Sequence, residues 1–268
     1  TVWICCASGR FEYLCTIPVF SGTRSEGIKT VIIGYGTMGH EIERVLIDRG
    51  HTVLFTVDAG EEAKLATERL AQADVAIEFT TPATAFGNVE TCLRAGVPVV
   101  CGTTGWNERR EEAEKLCEEL DGTFFWSSNF SIGVNILFRV SEYLARIMDR
   151  FPEYAVSMRE VHHTRKKDAP SGTAVTLAEG ILRNIGRTEA WVNHETDCPS
   201  ALGIVSVREG DVAGIHEVIY DSVADTITLC HEAKGRRGFA VGAVMAAEFA
   251  AGHKGVLTMD DMLGSIIH

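Results

Sequence analysis

The chain has 268 residues, of which 46% are hydrophobic, and this is enough to bury a core and to form two domains. Its formal net charge of −12 argues against the clustered Lys and Arg that a nucleic acid or an anionic membrane requires. No apolar run reaches the roughly 18 to 20 residues that cross a bilayer. We therefore expect neither a nucleic-acid nor a membrane partner.

The eight cysteines show no CxxC pair and no regular spacing, and Cys101 and Cys230 lie within apolar stretches. Buried, reduced thiols explain this usage better than disulfides or a zinc site. Such thiols are typical of a reducing compartment, so we expect a cytoplasmic protein.

Residues 1–28 show no sustained helical or strand period. A transit peptide would be poor in acids, and this segment contains Glu12 and Glu26. We interpret residues 1–28 as an extension outside the folded core rather than as a targeting sequence.

From Lys29 onward, short apolar runs alternate with helix-like segments. The runs TVIIG, HTVLFTVD, VAIEFT and VPVVCG predict strands, and a helix is expected around residues 85–94. This alternation is typical of βαβ units with a parallel sheet. The acid-rich residues 107–120 predict another helix with a solvated face, followed by a strand at TFFWS.

The pattern changes after Phe130, where helices and strands no longer alternate regularly. Helices are predicted at residues 135–150 and from Ser171 onward, and a strand is predicted at YAVSMREVHH. Further strands are expected at residues 203–208, 216–220 and 226–231. The last segment, GFAVGAVMAAEFAAG, predicts a helix that returns to pack on the first domain.

The first predicted strand and helix are joined by a glycine-rich loop in which Gly34, Gly36 and Gly39 have the GxGxxG spacing. The first glycine permits a tight turn, the second lets the backbone approach a pyrophosphate, and the third allows close packing of the helix. Because a strand precedes the motif and a helix follows it, we predict a dinucleotide site there. Its residues are Gly34, Tyr35, Gly36, Thr37, Met38 and Gly39.

Asp58 ends the second predicted strand, where a ribose-binding acid is expected after such a loop. A carboxylate here can accept hydrogen bonds from both ribose hydroxyls of NAD and would repel the 2′-phosphate of NADP. Ala59 and Gly60 follow, and they supply no cation for that phosphate. We expect NADH to be preferred over NADPH, with a simple turn cap as the alternative role of Asp58.

Together these elements predict an α/β fold, with a Rossmann-type dinucleotide-binding domain and a second, α+β domain. The first domain is expected to comprise residues 29–130 and 240–268, and the second residues 131–239.

The segment EVHHTRKKDAPSGTA, residues 160–174, holds the densest group of reactive side chains. His162, His163 and Lys166 can supply protons near neutral pH. The helix that starts after Pro170 offers free N–H groups and the Thr173 hydroxyl to a carboxylate. These residue types indicate reduction of a small anionic substrate.

Two other interpretations fit the same residue types. The segment could be a solvent-facing basic loop that only caps the helix. Alternatively, His162 and His163 could bind a metal, although adjacent strand residues point in different directions and seldom share one ion. We predict no metal site.

The segment resembles the signature of the dihydrodipicolinate reductases, E-x-HH-x3-K-x-DAPSGTA, here from Glu160 to Ala174. The motifs IGYGTMG, EFTTP, CGTTGW, SSNFSIGVN, REGDVAGIHEV and HEAKGRRGFAVGAV also occur, in the family's order. The resemblance covers about residues 29–263. It implies an NAD(P)H-dependent reductase of 4-hydroxy-tetrahydrodipicolinate in lysine and diaminopimelate biosynthesis, assembled as a homotetramer through the second domain.

The resemblance also implies a role for each site residue. His162 is expected to be the acid/base residue and Lys166 the proton donor. The substrate carboxylates are expected to bind His163 and the amides of Gly172 and Thr173. Two loops are expected to hold the nicotinamide and its ribose, namely Gly102, Thr103 and Thr104, and Ser127, Ser128, Asn129 and Phe130.

Two further basic residues, Arg208 and Lys234, are weaker candidates for binding a carboxylate. Ion pairs at the surface or at an interface are the first expectation for both. The family's cofactor acid maps to Asp58, and the basic neighbour that serves NADPH in some members is absent.

Two rival functions fit the predicted fold. An aspartate or homoserine dehydrogenase would share it but would leave the HH/DAPSGT segment unexplained. A non-catalytic NAD-binding sensor would not need both Lys166 and the imidazole pair beside an anion pocket.

Overall fold

The computed structural model describes residues 27–267, so of the predicted extension only Gly27 and Ile28 lie within the described part. Among these residues, no helix combines the length and the apolar composition that a membrane span requires. The strands are β1 Lys29–Ile33, β2 Thr52–Val57, β3 Val75–Glu78, β4 Val99–Cys101, β5 Thr123–Trp126, β6 Ala155–His162, β7 Ala190–Val192, β8 Ala201–Arg208, β9 Ile215–Asp221, β10 Thr226–Glu232 and β11 Gly255–Leu257. The α-helices are α1 Thr37–Asp48, α2 Thr67–Leu70, α3 Pro82–Arg94, α4 Asn107–Glu119, α5 Ile132–Met148, α6 Gly172–Leu182, α7 Arg237–Ala250 and α8 Met259–Ile267, and a 3-10 helix spans Glu62–Leu65.

The first sheet consists of six parallel strands in the order β11-β5-β4-β3-β1-β2. From β1 the chain passes to β2 on one side and then crosses to β3 on the other, so the strand order reverses between β1 and β3. In open α/β sheets, ligands bind in the crevice outside the carboxyl ends of the strands at such a switch point. The predicted Rossmann-type architecture is confirmed.

Helices cover both faces of this sheet, which explains why its strands are almost continuously apolar. In β1, Ile32 faces the core formed with α1, α7 and α8. Val31 and Ile33 face the core formed with α3 and α4, because successive strand residues point to opposite sides. Ile28 already packs in the first of these cores, one residue before the predicted start of the fold.

The C-terminal segment returns to the first sheet, as predicted from its sequence. Helix α7 packs on α1, and its many alanines let it approach the sheet closely. Gly242 is required at the closest point, because a Cβ there would lie 1.7 Å from the carbonyl oxygen of Phe130. The edge strand β11 and the helix α8 that follow were not predicted, since a three-residue strand carries no recognisable period.

The second sheet is mixed and has the order β10-β9-β6-β8-β7. Strands β10, β9 and β6 pair antiparallel, whereas β6, β8 and β7 pair parallel. Helices α5 and α6 cover one face, with a core that includes Leu137, Met158 and Leu177. No helix of the described part of the chain covers the opposite face, which we call the open face, and Val205 and Cys230 are exposed there. The predicted second α+β domain is confirmed.

The cysteines agree only in part with the expected buried thiols. Cys92, Cys101 and Cys117 are buried and free, whereas Cys198 and Cys230 are free but exposed. For Cys230 the expectation was wrong because the apolar run around it is a strand. Alternate residues of that strand face the open side of the second sheet.

A buried ion cluster joins α7 to the turn between α1 and β2. Arg49 donates to the two carboxylate oxygens of Glu248 at 2.8 and 2.7 Å, and His51 Nε2 lies 2.7 Å from Oε1 of Glu248. The amide of Ile28 donates to His51 Nδ1 at 3.2 Å, so the proton that Glu248 accepts is carried on Nε2. Burial raises the pKa of Glu248, but the hydrogen bonds from His51 and Arg49 outweigh it and lower the pKa overall.

We predict that Glu248→Ala lowers the free energy of unfolding by about 3 kcal/mol at neutral pH, because Arg49 and His51 then remain buried without their anion. Urea unfolding measures this loss. Because the pKa of Glu248 is lowered by folding, its stabilisation is fully present above its ordinary value of 4.5 and is lost as the pH falls below it. The difference between parent and variant should therefore shrink in acid.

The control for this prediction is Glu112→Gln, which removes an exposed ion pair with Arg109 on α4. It should change the free energy of unfolding by less than about 0.5 kcal/mol. Equal losses in the two variants would contradict the importance of burial in the Glu248 cluster.

Candidate active site

The loop between β1 and α1 has the backbone that a dinucleotide site needs. Gly34 has a φ of +95°, and a Cβ there would lie 2.0 Å from the carbonyl oxygen of Phe79. A Cβ at Gly39 would lie 2.4 Å from the carbonyl oxygen of Gly34. Gly36 differs, because no atom lies within 4 Å of its Cβ position. Gly34 and Gly39 thus serve the packing of the loop, whereas Gly36 leaves open space at the N-terminus of α1.

A cleft of about 270 Å³ opens beside this loop, at the switch point of the first sheet. Gly36, Asp58, Glu62 and Thr80 are among the residues that line it. Asp58 is exposed, and one of its carboxylate oxygens accepts a hydrogen bond from the Ala59 amide at 2.9 Å. This is the turn cap that the sequence left as an alternative, and it uses only one of the two oxygens.

The charge of this cleft is acidic. Asp58 and Glu62 contribute carboxylates, and the described lining contains neither Lys nor Arg. Lys64 lies close by in sequence, but its Nζ pairs with Glu61 at 2.6 Å. Nothing in the described lining therefore offers a cation to a ligand phosphate at Asp58.

The loop after β4 is held from inside the protein. The Thr80 amide donates to Thr103 Oγ1 at 2.8 Å, and Thr103 is 5% exposed. Gly102 lies against the ring of Phe79, where a Cβ would come within 2.2 Å of a ring carbon. Thr103 therefore anchors the loop, and the exposed residue beside it is Thr104.

The loop after β5 is organised by Asn129. Its side-chain oxygen accepts from the Ser131 amide at 2.9 Å. Its carbonyl oxygen accepts from Asn135 at 2.8 Å and from the Ser127 hydroxyl at 2.9 Å. Phe130 is 2% exposed and packs in the core of the first sheet, so its ring supports the loop rather than lining the surface.

A second cluster follows from the alternation of side chains in the second sheet. Glu160 and His162 are two residues apart in β6, so both point to the face that α5 and α6 cover. The register sets His216 of β9 opposite Glu160, and Arg208 of β8 opposite His162. Four polar side chains therefore converge at the carboxyl end of β6.

Glu160 is the centre of this cluster and is 1% exposed. Its Oε1 accepts hydrogen bonds from Arg208 Nη2 and from the Ser171 amide, both at 3.0 Å, and its Oε2 lies 3.1 Å from His162 Nδ1. Burial raises the pKa of Glu160, but His162, Ser171 and Arg208 together outweigh burial and hold the pKa far below its ordinary value. Glu160 is therefore an anion at neutral pH.

His216 lies on the other side of this carboxylate and is 5% exposed. Its Nε2 is 3.1 Å from Ser171 Oγ and 3.9 Å from Glu160 Oε2. Its ring centroid lies 5.0 Å from that of His162. Burial, and then the neighbouring His162, lower the pKa of His216 to about 4. His216 is therefore neutral at neutral pH.

Ser171 connects the start of α6 to the same cluster. It is the N-cap of α6, and its Oγ accepts a hydrogen bond from the Ala174 amide at 3.2 Å. Gly172 and Thr173 form the first turn, where backbone N–H groups have no acceptor within the helix. No atom lies within 4 Å of the Cβ position of Gly172. This helix N-terminus fits the carboxylate site that the sequence predicts.

Lys166 and His163 both lie in the loop between β6 and α6. Lys166 Nζ is 2.9 Å from Asp168 Oδ1, and this hydrogen bond lowers the pKa of Asp168. The Lys166 side chain is 22% exposed. His163 is half-buried, and its buried Nδ1 has no hydrogen-bond partner among the described residues. Both side chains are thus available at the edge of the cluster.

One hydrogen bond joins the two halves of the site. Asn129 Nδ2, from the loop after β5, donates to Thr173 Oγ1 at 3.4 Å. Asn129 is a predicted nicotinamide contact, and Thr173 is a predicted carboxylate contact. The loop after β5 therefore adjoins the N-terminus of α6.

Glu160, His162 and His216 have ligand atoms within 4.8 Å of one another, which is a geometry that could hold a metal ion. Arg208 opposes this use, because its guanidinium binds the same carboxylate and would repel a cation. The pair that the sequence suggested as a possible metal site, His162 and His163, does not form such a group.

Two family models match almost all of the described residues. Dihydrodipicolinate reductase, N-terminus, matches residues 28–130, and dihydrodipicolinate reductase, C-terminus, matches residues 133–263. The chain belongs to the dihydrodipicolinate reductase family. The family predicted from the signature segment is confirmed, and the chain is an NAD(P)H-dependent oxidoreductase.

Individual members support this assignment. The 4-hydroxy-tetrahydrodipicolinate reductase of Christiangramia forsetii is 40% identical over 235 residues, which cover 88% of this chain and 97% of the relative. The enzyme of the same name from Paraburkholderia phymatum is 36% identical, over 73% of this chain and 76% of the relative. The dipicolinate-bound dihydrodipicolinate reductase from Paenisporosarcina sp. TG-14 has the same fold, with a TM-score of 0.72 at 22% identity, covering 88% of this chain and 98% of that chain.

Sequence reasoning assigned no role to Glu160, Ser171 or His216. The family signature contains Glu160 and Ser171, and the motif REGDVAGIHEV contains His216. Their meeting depends on the pairing of β6 with β9, which no single motif displays.

The two weaker candidates have different outcomes. For Arg208 we first expected an ion pair at the surface or at an interface. Instead, Arg208 binds the buried Glu160 and also donates to the Asp168 carbonyl oxygen at 2.6 Å. The expectation failed because Arg208 faces the covered side of the sheet. Lys234 is exposed and pairs with Glu232 at 2.6 Å, as expected.

We predict that Gly36→Ala binds NADH at least about tenfold more weakly, a loss of about 1.4 kcal/mol, because the new methyl group occupies the open space at the α1 N-terminus. Its melting temperature should match the parent, since nothing contacts that methyl group. NADH fluorescence titration and thermal unfolding measure the two effects.

The matched control is Gly34→Ala, which should lower the melting temperature as well as NADH binding. Its φ of +95° and the nearby Phe79 carbonyl leave no room for a Cβ. If Gly36→Ala binds NADH as tightly as the parent, the pyrophosphate does not lie at this glycine.

Proposed function

We propose that the chain catalyses the NAD(P)H-dependent reduction of 4-hydroxy-tetrahydrodipicolinate to tetrahydrodipicolinate, on the diaminopimelate route to lysine. Curated relatives carry the name of this activity. The structural observation that supports it most directly is the contact between Asn129 and Thr173. That contact brings the loop after β5, which we assign to the nicotinamide, next to the start of α6, which we assign to a substrate carboxylate.

The cofactor site is assigned to the loop from Gly34 to Gly39, to Asp58, and to the loops at residues 102–104 and 127–130. When bound, the reduced nicotinamide supplies a hydride to the unsaturated ring of the substrate. The chain's own residues hold these loops without a ligand: the Thr80 amide bonds Thr103 in the loop after β4, and Asn129 bonds the Ser131 amide in the loop after β5. A preformed site loses little conformational entropy on binding.

The proton that completes the reduction is assigned to Lys166 or His162. The conversion also releases the 4-hydroxyl group of the substrate as water, because hydride and one proton alone do not remove that oxygen. The dehydrated ring takes the hydride, and the electron pair that the hydride displaces ends on a carbon or nitrogen atom that takes up a proton. Lys166 is held at the edge of the cluster by Asp168, and His162 lies against Glu160. Both lie on the side of the site that carries the carboxylate pocket.

The substrate carboxylates are assigned to His163 and to the amides of Gly172 and Thr173. A dicarboxylate needs at least two such sites, because each carboxylate must be neutralised or hydrogen-bonded when water is excluded. The N-terminus of α6 supplies backbone N–H groups and a positive dipole end. His163 supplies a ring nitrogen, Nδ1, that has no partner among residues 27–267.

The two parts of the site come from two domains, which we assign to residues 29–130 with 240–268 and to residues 131–239. Closure of these domains on the ligands would exclude water and bring the reacting atoms within reach. We further propose a cytoplasmic homotetramer assembled through the open face of the second sheet. Exposed Val205 and the exposed pair of Arg159 with Glu217 lie on that face.

A dehydrogenase of another small acid would use the same crevice but has no need of the Glu160 cluster beside an anion site. A non-catalytic sensor would bind NADH without turnover. A coupled assay, in which the preceding synthase makes the substrate in situ and NADH absorbance is followed, separates these functions. Only the proposed reductase activity predicts decay that depends on the synthase.

We predict that Lys166→Ala and His162→Ala each lower turnover by about a hundredfold or more, the scale of a lost general acid. Both residues act on the substrate side, so the dissociation constant of NADH should stay within about twofold of the parent. Stopped-flow turnover and NADH titration measure the two quantities.

The control for these variants is Lys167→Ala, an exposed neighbour of Lys166. It should leave turnover unchanged. Loss of NADH binding in Lys166→Ala or His162→Ala to the same degree as turnover would contradict their assignment to the substrate side.

We predict that NADH is preferred over NADPH, because Asp58 and Glu62 face the cleft and no described lining residue is basic. A 2′-phosphate 4 Å from a carboxylate costs about 1 kcal/mol even at the dielectric constant of water. The double variant Asp58→Ser, Ala59→Arg should shift the ratio of kcat/KM toward NADPH by at least about tenfold. Glu112→Gln serves as a charge control and should leave the ratio unchanged.

Measured kcat/KM values for both cofactors test this prediction. Two results would show that Asp58 does not bind the adenine ribose: a parent that already favours NADPH, or a double variant with the parent's ratio of kcat/KM for the two cofactors. Either result would leave the reductase activity itself standing.

A further inference from the structure

Two buried polar atoms at the centre of the cluster face each other without a hydrogen bond. Oε2 of Glu160 and Nδ1 of His162 are 3.1 Å apart, and neither has a hydrogen-bond partner among the described residues. Both side chains are buried, at 1% and 7% exposed. A buried polar atom without a partner is unfavourable, so an unpaired acceptor beside an unpaired ring nitrogen requires an explanation.

The other oxygen of Glu160 is fully used. Oε1 accepts from Arg208 and from the Ser171 amide, which fixes the carboxylate in position. With Oε1 held in this way, Oε2 is the oxygen that remains for His162. Nδ1 already lies 3.1 Å from Oε2, and catalytic hydrogen bonds are often misaligned until a ligand is bound.

We propose that Glu160 is a positioning residue for His162: it accepts the Nδ1 proton, holds the ring in that tautomer, and so presents Nε2 to the substrate. This inference rests on the proposed acid/base role of His162. It adds a residue that itself touches neither substrate nor cofactor.

The surroundings of the ring agree with this arrangement. Gly214 has no side chain, and a Cβ there would lie 3.0 Å from His162 Nε2, so the glycine keeps that side of the ring clear. The Glu160 carboxylate stays charged because its pKa lies far below the ordinary value, despite burial. A charged acceptor makes a stronger hydrogen bond with the Nδ1 proton of His162 than a neutral acceptor would.

His216 does not compete for the same role. Its Nε2 is within hydrogen-bond distance of Ser171 Oγ, and burial lowers its pKa to about 4. The other charged or titratable groups near His162 are either basic, so that they cannot replace the Glu160 carboxylate as an anion, or lie at the edge of the cluster. They are Arg208 from β8, His231 from β10, and Lys166 with Asp168 from the loop after β6.

The test is Glu160→Gln, which keeps the shape of the side chain. Its amide oxygen can replace Oε1 and keep the bonds from Arg208 and Ser171. Its NH2 group then stands where Oε2 was and donates to His162 Nδ1, which forces the ring proton onto Nε2. The substitution therefore reverses the tautomer and removes the charge while leaving the packing intact.

We expect Glu160→Gln to lower kcat by about a hundredfold, with the KM for NADH unchanged. Nitrogen-15 NMR of histidine-labelled protein reports the tautomer directly, with His162→Asn identifying the resonances. In the neutral ring the parent should carry its proton on Nδ1, and Glu160→Gln should carry it on Nε2. Glu179→Gln, an exposed substitution on α6, should change neither turnover nor tautomer.

Several outcomes would overturn the proposal. The first is a parent protein in which the neutral His162 ring carries its proton on Nε2. This result needs no variant, so it overturns the proposal even if Glu160→Gln fails to fold. Parent-like kcat in a folded Glu160→Gln does so as well. If His162→Ala retains full turnover, it is the proposed role of His162 that fails, and the tautomer measurement still decides whether Glu160 orients the ring.

Discussion

The carboxylate of Glu160 is buried where the strands of the second sheet meet the start of α6, and it binds groups from both. Taking a carboxylate out of water is expensive, and here the cost is offset by Arg208 from β8 and by the amide of Ser171, the N-cap of α6. The anion therefore fixes where α6 begins relative to the end of β6. His162 and the free N–H groups of α6 take their positions from that same junction.

This constraint explains why the signature segment is dense in polar residues. The chain leaves β6 after His162, turns through the loop that carries Lys166, and re-enters the cluster at Ser171. Ser171 both caps α6 and contacts His216, so one residue ends the loop and closes the polar network. The segment is thus a structural unit as well as a chemical one.

The first domain could be predicted from sequence because its signals are local. Gly34 and Gly36 lie between β1 and α1, Gly39 lies in the first turn of α1, and Asp58 follows the next strand. Strands β7 and β11 have three residues each, too few for a period, and their places depend on neighbouring strands. The exposure of Cys230 was also beyond the sequence, because it depends on which face of the second sheet α5 and α6 cover.

The residues of the candidate site also fall into those that local sequence motifs predict and those that depend on the pairing of distant strands. The loop residues that we assign to a dinucleotide and the residues of the signature each form contiguous motifs, so the family pattern could point to them. The partnership of Glu160 with His216 arises from strand register, and that of Glu160 with Arg208 from a parallel pairing across a long connection. Such pairings are decided by the packing of the whole sheet and leave no local trace.

Helix α7, strand β11 and helix α8 complete the first domain from the C-terminal end of the chain. Their position affects how the protein folds during synthesis. Synthesis proceeds from the N-terminus, so β1 to β5 leave the ribosome long before the helix whose Gly242 seats on the Phe130 carbonyl. The face that α7 covers stays bare during that interval, while the second sheet and its helices form one continuous stretch of chain and can fold first. Nascent chains halted before residue 237 should therefore expose the apolar face of the first sheet to chaperones.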